Sequence, residues 1–122
     1  MTPEEIKRKR TESTLREILP EAFASLDDER ITHLSVTDVV CSRGRYDARV
    51  FLDPAGLSPQ EQAEALQRLR KVSGYLTTWV RDMEGWFRAP KFTFEFDDQL
   101  ERIARMETLF AQIAGRSHKE TP

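Results

Sequence analysis

The stretch SPQEQAEALQRLRKVSGYLTTWVRDM, residues 58–83, decides how this chain folds. Leu66, Leu69, Ser73, Leu76, Val80 and Met83 recur every three or four residues, which keeps one helical face apolar from end to end. Ser58-Pro59-Gln60-Glu61 supplies both halves of a capping box, with proline at the first helical position. Yet Lys71-Val72-Ser73-Gly74-Tyr75 places serine and glycine where a helix needs its strongest formers. Glycine inside a helix costs about 1 kcal/mol relative to alanine. Two geometries satisfy this pattern. In one, the helix bends sharply and restarts, leaving backbone N–H groups free to meet a phosphate. In the other, a kinked core helix has small residues at 73 and 74 because another element packs closely.

Upstream, Leu15, Ile18, Leu19, Ala22, Phe23 and Leu26 trace a first helix, with Pro20 predicting a kink or restart inside it. Leu34 to Cys41 is rich in β-branched residues and reads as a strand, its alternation broken around Asp38 and Val39-Val40 as by a bulge. Ser42-Arg43-Gly44-Arg45 is a turn, and Tyr46, Ala48, Val50 and Leu52 mark one face of a returning strand. Downstream of the long helical stretch, residues 84–90 form a loop. Phe92, Phe94 and Phe96 then alternate with Thr93 and Glu95 as a half-buried strand. Asp98-Gln99-Leu100-Glu101 opens a last helix striped by Leu100, Ile103, Met106, Phe110 and Ile113, which Gly115 ends. The expected class is therefore α+β: helix, two strands, helix, bent helix, strand and a final helix, with a three-stranded sheet carrying its helices on one face.

At 122 residues the chain fits one domain, expected over residues 1–115, with a polar tail at 116–122. It shows no apolar run long enough to span a membrane and no signal-peptide pattern, and its single Cys41 cannot form an internal disulfide. A cytoplasmic monomer is expected. The net charge of −2 and the pI of about 5.7 do not suit a generic nucleic-acid binder. The distribution of charge does. Residues 66–91 carry Arg68, Arg70, Lys71, Arg81, Arg88 and Lys91 against only Asp82 and Glu84. Lys7-Arg8-Lys9-Arg10 and the set Arg43, Arg45 and Arg49 add two more basic clusters.

Catalytic signals are lacking. His33 and His118 are the only imidazoles and have no partner at metal-ligand spacing, and Cys41 in a strand reads as a small buried hydrophobe. The Asp97-Asp98 pair could suggest acid–base chemistry, but helix capping explains Asp98 without it. No phosphate-loop or dinucleotide fingerprint occurs, so no cofactor, metal or catalysis is assigned. Among the aromatics, Trp86 beside Gly85 is the surface candidate for base stacking, while Trp79 and Phe87 read as core.

The order of elements brings together Leu15 to Leu19, Val36-Thr37-Asp38-Val39 with Ser42 and Ala48-Arg49-Val50, the Ser73-Gly74-Tyr75 interruption, and Arg88-Ala89-Pro90-Lys91-Phe92-Thr93-Phe94 running into Phe96-Asp97. Over residues 5–113 this pattern resembles the ribosome-binding factor A family, bacterial small-subunit assembly factors with a type II KH-like fold. The resemblance implies a non-enzymatic factor that binds the immature small (30S) ribosomal subunit and its 16S rRNA and supports rRNA processing and late maturation. The family carries an alanine-x-glycine kink where KH domains clamp nucleic acid. The matching positions here are Val72, Ser73 and Gly74, with valine in place of alanine. Glu29, Phe87 and Gln99 are further departures from the family pattern. The RNA-contacting set expected on these grounds is Lys7, Arg8, Arg43, Arg45, Arg68, Arg70, Lys71, Val72, Ser73, Gly74, Arg81, Arg88 and Lys91. The acidic pI and Val72 also suit a different role, a protein-binding adaptor of the same fold that touches no RNA.

Overall fold

The computed structural model describes residues 2–98, 103–104 and 106–111. Its elements are α1 (Pro3–Ser25), β1 (Val36–Cys41), β2 (Asp47–Leu52), α2 (Pro59–Glu84) and β3 (Lys91–Phe96). β1 and β2 pair antiparallel as the expected hairpin, and β3 adds to the other edge of β2 in parallel. The parallel pairing follows from α2, which carries the chain back along the sheet before β3 begins. α1 packs against β1, α2 against β3, and the two helices touch, so both cover one face. That is the α+β architecture the sequence predicts.

The core lies between that face and the helices. Val39, Cys41, Ala48, Val50, Leu52 and Phe92 meet Leu15, Leu19 and Phe23 of α1 and Leu69, Leu76 and Val80 of α2. The phenylalanine alternation of β3 registers against β2, with Ala48 opposite Phe92, Val50 opposite Phe94 and Leu52 opposite Phe96. Phe23 and Phe94 meet at 6.0 Å between ring centroids, joining α1 to β3 across the core. Tyr46 does not continue the buried face of β2, because it sits in the hairpin loop and is 59% exposed.

The disturbance in β1 is a register shift between Val36 and Asp38. It places the Thr37 hydroxyl 2.8 Å from Asp97 Oδ2 and 3.2 Å from the Phe51 carbonyl oxygen. Asp97 is buried, and its N–H donates to the Leu52 carbonyl at 2.6 Å. The bulge thus ties together the start of β1 and the ends of β2 and β3, which satisfies polar groups that would otherwise be buried without partners.

Neither helix restarts at its expected break. α1 runs through Pro20, and α2 is helical without interruption from Pro59 to Glu84. An interior proline costs about 3 kcal/mol. Leu15, Ile18, Leu19, Ala22 and Phe23 are buried on either side of it, and full burial of one such large side chain is worth about 1.5–3 kcal/mol. In α2 the smaller cost of Gly74 is opposed by Ala65 and Leu69 before it and Leu76 and Val80 after it, all buried in one phase. Ser73 turns its hydroxyl back to the Arg70 carbonyl at 3.0 Å, which satisfies it within the helix.

Close packing does not explain the glycine either. A side chain at Gly74 would meet nothing within 4 Å, and the residue faces solvent. Met83, expected on the apolar face, is exposed in the last turn of α2. The helix ends at Gly85, whose φ of 66° is left-handed, and the Trp86 N–H donates back to the Arg81 carbonyl at 3.0 Å.

The capping sequence expected for the last helix falls on residues 98–101, of which 99–101 lie outside the described residues, as do the tail at 116–122 and Ile113. Residues 103–104 and 106–111 are helical. Ile103, Met106 and Phe110 are exposed there and do not form the expected buried stripe. The helix-bearing face of the sheet is already filled by α1 and α2.

Because Gly74 is helical, exposed and without a steric neighbour, Gly74→Ala should stabilise the domain by about 0.5–1 kcal/mol. Urea denaturation with an unchanged slope and a higher midpoint would show this.

Candidate nucleic-acid interface

The hairpin loop, the N-terminal half of α1, the C-terminal end of α2 and the loop before β3 meet at one end of the sheet. All but α2 bring cations to that end. In the hairpin turn Gly44 and Arg45 both have positive φ, 84° and 61°. A side chain at Gly44 would come within 2.7 Å of the Tyr46 ring, so glycine is required for the backbone angle and for the room. The Arg88 guanidinium also stacks on Tyr46, 4.0 Å from the ring centroid, and the Lys91 N–H donates to the Tyr46 carbonyl at 3.0 Å. A cation held on an aromatic face gains about 0.5–1 kcal/mol at such exposed positions and a fixed direction.

From α1, the buried Thr11 hydroxyl donates to the Lys7 carbonyl at 2.9 Å. Arg8 lies close enough to Cys41, at the end of β1, for its charge to act on the thiol, as does Arg45. Burial nevertheless dominates there and, with the Glu12 carboxylate beside it, pushes the Cys41 thiol up to about 11. Glu12 accepts the Cys41 backbone N–H at 2.8 Å. Cys41 is thus a protonated core residue at neutral pH, as its place in a strand suggests.

The structure divides the expected basic arc into three. Lys7, Arg8, Arg43, Arg45, Arg88 and Lys91 gather at the hairpin end. Among the described residues none of these six has a carboxylate within 4.0 Å. Arg70 and Lys71 share the solvent face of α2 with Gly74 and Arg81, and about 15 Å of helix axis separates Lys71 from Arg81. Arg81 is drawn to the adjacent Asp82 at 3.3 Å, a weak exposed pair. Val72 is half-buried and packs on the core, and Ser73 is partly covered, so of the three kink positions only Gly74 is open to solvent.

Arg68 stands apart. Its Nε lies 2.6 Å from Asp28 Oδ2, in a partly buried pair that fastens α2 to the turn after α1. That carboxylate also accepts the Arg30 backbone N–H. The Arg30 bond first and the Arg68 bond second hold Asp28 below the usual carboxylate value of 3.8. Arg68 is therefore a structural cation.

Two features here escape a reading of sequence. Phe87, expected in the core, is fully exposed, while Trp86 packs against the core with one side still open. After Gly85 reverses the chain no helical phase remains to assign either ring to a face. Thr11, Arg45, Trp86, Phe87, Arg88 and Pro90 line a cleft of 510 Å³. The Arg45 Nε is buried without a hydrogen-bond acceptor.

The model of the ribosome-binding factor A family matches residues 7–110. The chain belongs to the ribosome-binding factor A family. Ribosome-binding factor A of Campylobacter jejuni is 48% identical over 113 residues, covering 93% of this chain and 94% of that protein. The solution structure of a Thermotoga maritima protein described as a ribosome-binding factor A superposes with a TM-score of 0.66 at 25% identity, covering 81% of this chain and 93% of that one. The same fold recurs in Thermus thermophilus ribosome-binding factor A, in coordinates fitted into the cryo-electron microscopy map of a 30S complex. There the TM-score is 0.57 at 23% identity, covering 68% of this chain and 87% of that one. No helix among the described residues of this family member is long and apolar enough to cross a membrane.

Two expectations follow. Asp28→Asn should lower the melting temperature at neutral pH. A folded-state pKa below the ordinary one contributes stability above the ordinary value and loses it on acidification. The deficit should therefore close as pH falls below about 3.8, read from thermal melts across pH 2.5 to 7. Gly44→Ala should displace the Tyr46 ring and release Arg88, seen as a change in the Tyr46 ring resonances with the rest of the spectrum retained.

Proposed function

We propose that this chain binds the immature small ribosomal subunit through 16S rRNA, supports rRNA processing and late maturation, and does so without making or breaking a covalent bond. It acts in the cytoplasm as a monomer. The observation that carries this reading is the convergence, on the hairpin end of a chain whose net charge is −2, of six cations without a carboxylate partner among the described residues. Such a surface neutralises phosphates and releases their counterions, which makes affinity fall with salt. Family membership supports the choice of partner, as does the Thermus relative fitted into a 30S map. The outer face of α2 extends the contact: Arg70 and Lys71 lie one turn before Gly74, where the missing side chain lets a sugar–phosphate backbone approach the helix closely.

The test is cosedimentation with purified small subunits across a salt series. Wild-type protein should bind small subunits with a steep dependence on salt. The pairs Arg43→Gln/Lys91→Gln and Arg70→Gln/Lys71→Gln should each reduce the slope of log K against log salt, by about 1 for every phosphate no longer neutralised. Arg68→Gln should lower stability and leave the slope unchanged. Binding that survives high salt and ribonuclease, with all slopes equal, would overturn RNA docking and favour a protein-binding adaptor.

A further inference from the structure

We propose that the cleft between the hairpin loop and residues 85–90 takes one unstacked nucleotide of single-stranded RNA, its base against Phe87 and Trp86 and its phosphate on Arg45 and Arg88. This rests on the reading that the chain docks on RNA, and it adds a site separate from the outer face of α2.

Four observations converge. First, the cleft's 510 Å³ falls within the roughly 300–1,000 Å³ of small-ligand sites. Second, its lining includes a fully exposed phenylalanine and a tryptophan partly packed on the core. An exposed aromatic alone means little, but with a second ring lining the same cleft it offers two surfaces to a base. Third, Arg88 is not mobile charge. It is stacked on Tyr46, itself packed on Gly44, which keeps the guanidinium edge available for a phosphate. Fourth, Arg45 brings a second guanidinium into the same wall, and its Nε–H is shut off from solvent without an acceptor. An anion entering the cleft would neutralise that guanidinium, which no carboxylate among the described residues pairs.

A duplex fits this arrangement poorly, because its bases are already stacked and only its phosphates could use the site. Single-stranded RNA presents both a ring face and a phosphate for every residue, and aromatic stacking tolerates any base. The ligand class is therefore a single-stranded ribonucleotide segment.

The experiment uses the full chain and a fluorescently labelled hexauridylate, followed by anisotropy, with an abasic strand of equal length and a short RNA hairpin duplex as comparisons. Hexauridylate should bind more tightly than either. Phe87→Ala should weaken it about 5- to 150-fold, the range expected for one stacked base. Arg45→Gln and Arg88→Gln should each lower the salt slope, and the double variant should lower it by about 0.7, the value for one phosphate of a single strand. Phe87 is a surface residue, so its variant should keep the wild-type melting temperature. Equal binding of the abasic strand, or unchanged affinity in Phe87→Ala, would overturn the nucleotide site. If wild-type protein still sediments with small subunits in that case, docking on the subunit stands and only the cleft is wrong. If it does not sediment, the broader reading falls whatever hexauridylate does.

Discussion

Burial of two long apolar stripes against one face of a three-stranded sheet is the constraint on which the rest of this molecule depends. α1 and α2 each carry a residue that locally opposes a helix, Pro20 and Gly74, and each stays helical through it. The stripes on both sides of each defect share one phase. Breaking the helix would lift one half from the core, at a cost larger than the defect itself. The sheet in turn is ordered by the return path of α2, which makes β3 parallel to β2 and brings the loop after Gly85 next to the hairpin.

That juxtaposition is the source of the basic end. The chain as a whole is slightly acidic, with a net charge of −2. α1, the hairpin and the segment before β3 pool their cations because the core forces their ends together. Several acidic residues serve structural roles: Glu5 and Glu61 close capping boxes, Glu12 accepts the Cys41 N–H, Asp28 anchors Arg68, and Glu95 holds Arg49 at 3.0 Å on the outer face of the sheet. Carboxylates engaged in caps and backbone bonds leave the six cations of that end unpaired among the described residues, which lets a protein of low pI present a local positive field.

The helical interruption illustrates how a correct observation can point to a different use. Serine and glycine do interrupt the pattern of strong helix formers, but neither a new helix start nor a tight packing contact results. What the glycine leaves is an open notch on the solvent face of an intact helix, beside Arg70 and Lys71. Val72, which departs from the family pattern, faces the core side and so leaves that notch unobstructed.

By itself the sequence determined whatever is written in residues within about four positions of one another. The cap at Ser58, the phase of both helices, the hairpin turn with Gly44, the disturbance in β1 and the phenylalanine alternation of β3 all belong there. The same kind of signal marks a start that the apolar stripe of α1 does not reveal. Thr2-Pro3-Glu4-Glu5 repeats the Ser58-Pro59-Gln60-Glu61 capping pattern and begins the helix upstream of the basic cluster. Tertiary structure alone decided what depends on distant partners. Asp28 claims Arg68 across 40 positions in the chain. Burial carries the helices through Pro20 and Gly74, and Phe87 is left in solvent while Trp86 is drawn inward. The convergence of Arg45 with Arg88 arises the same way, since local propensity sees only near neighbours and a charge or ring acquires its role from whatever the fold sets beside it.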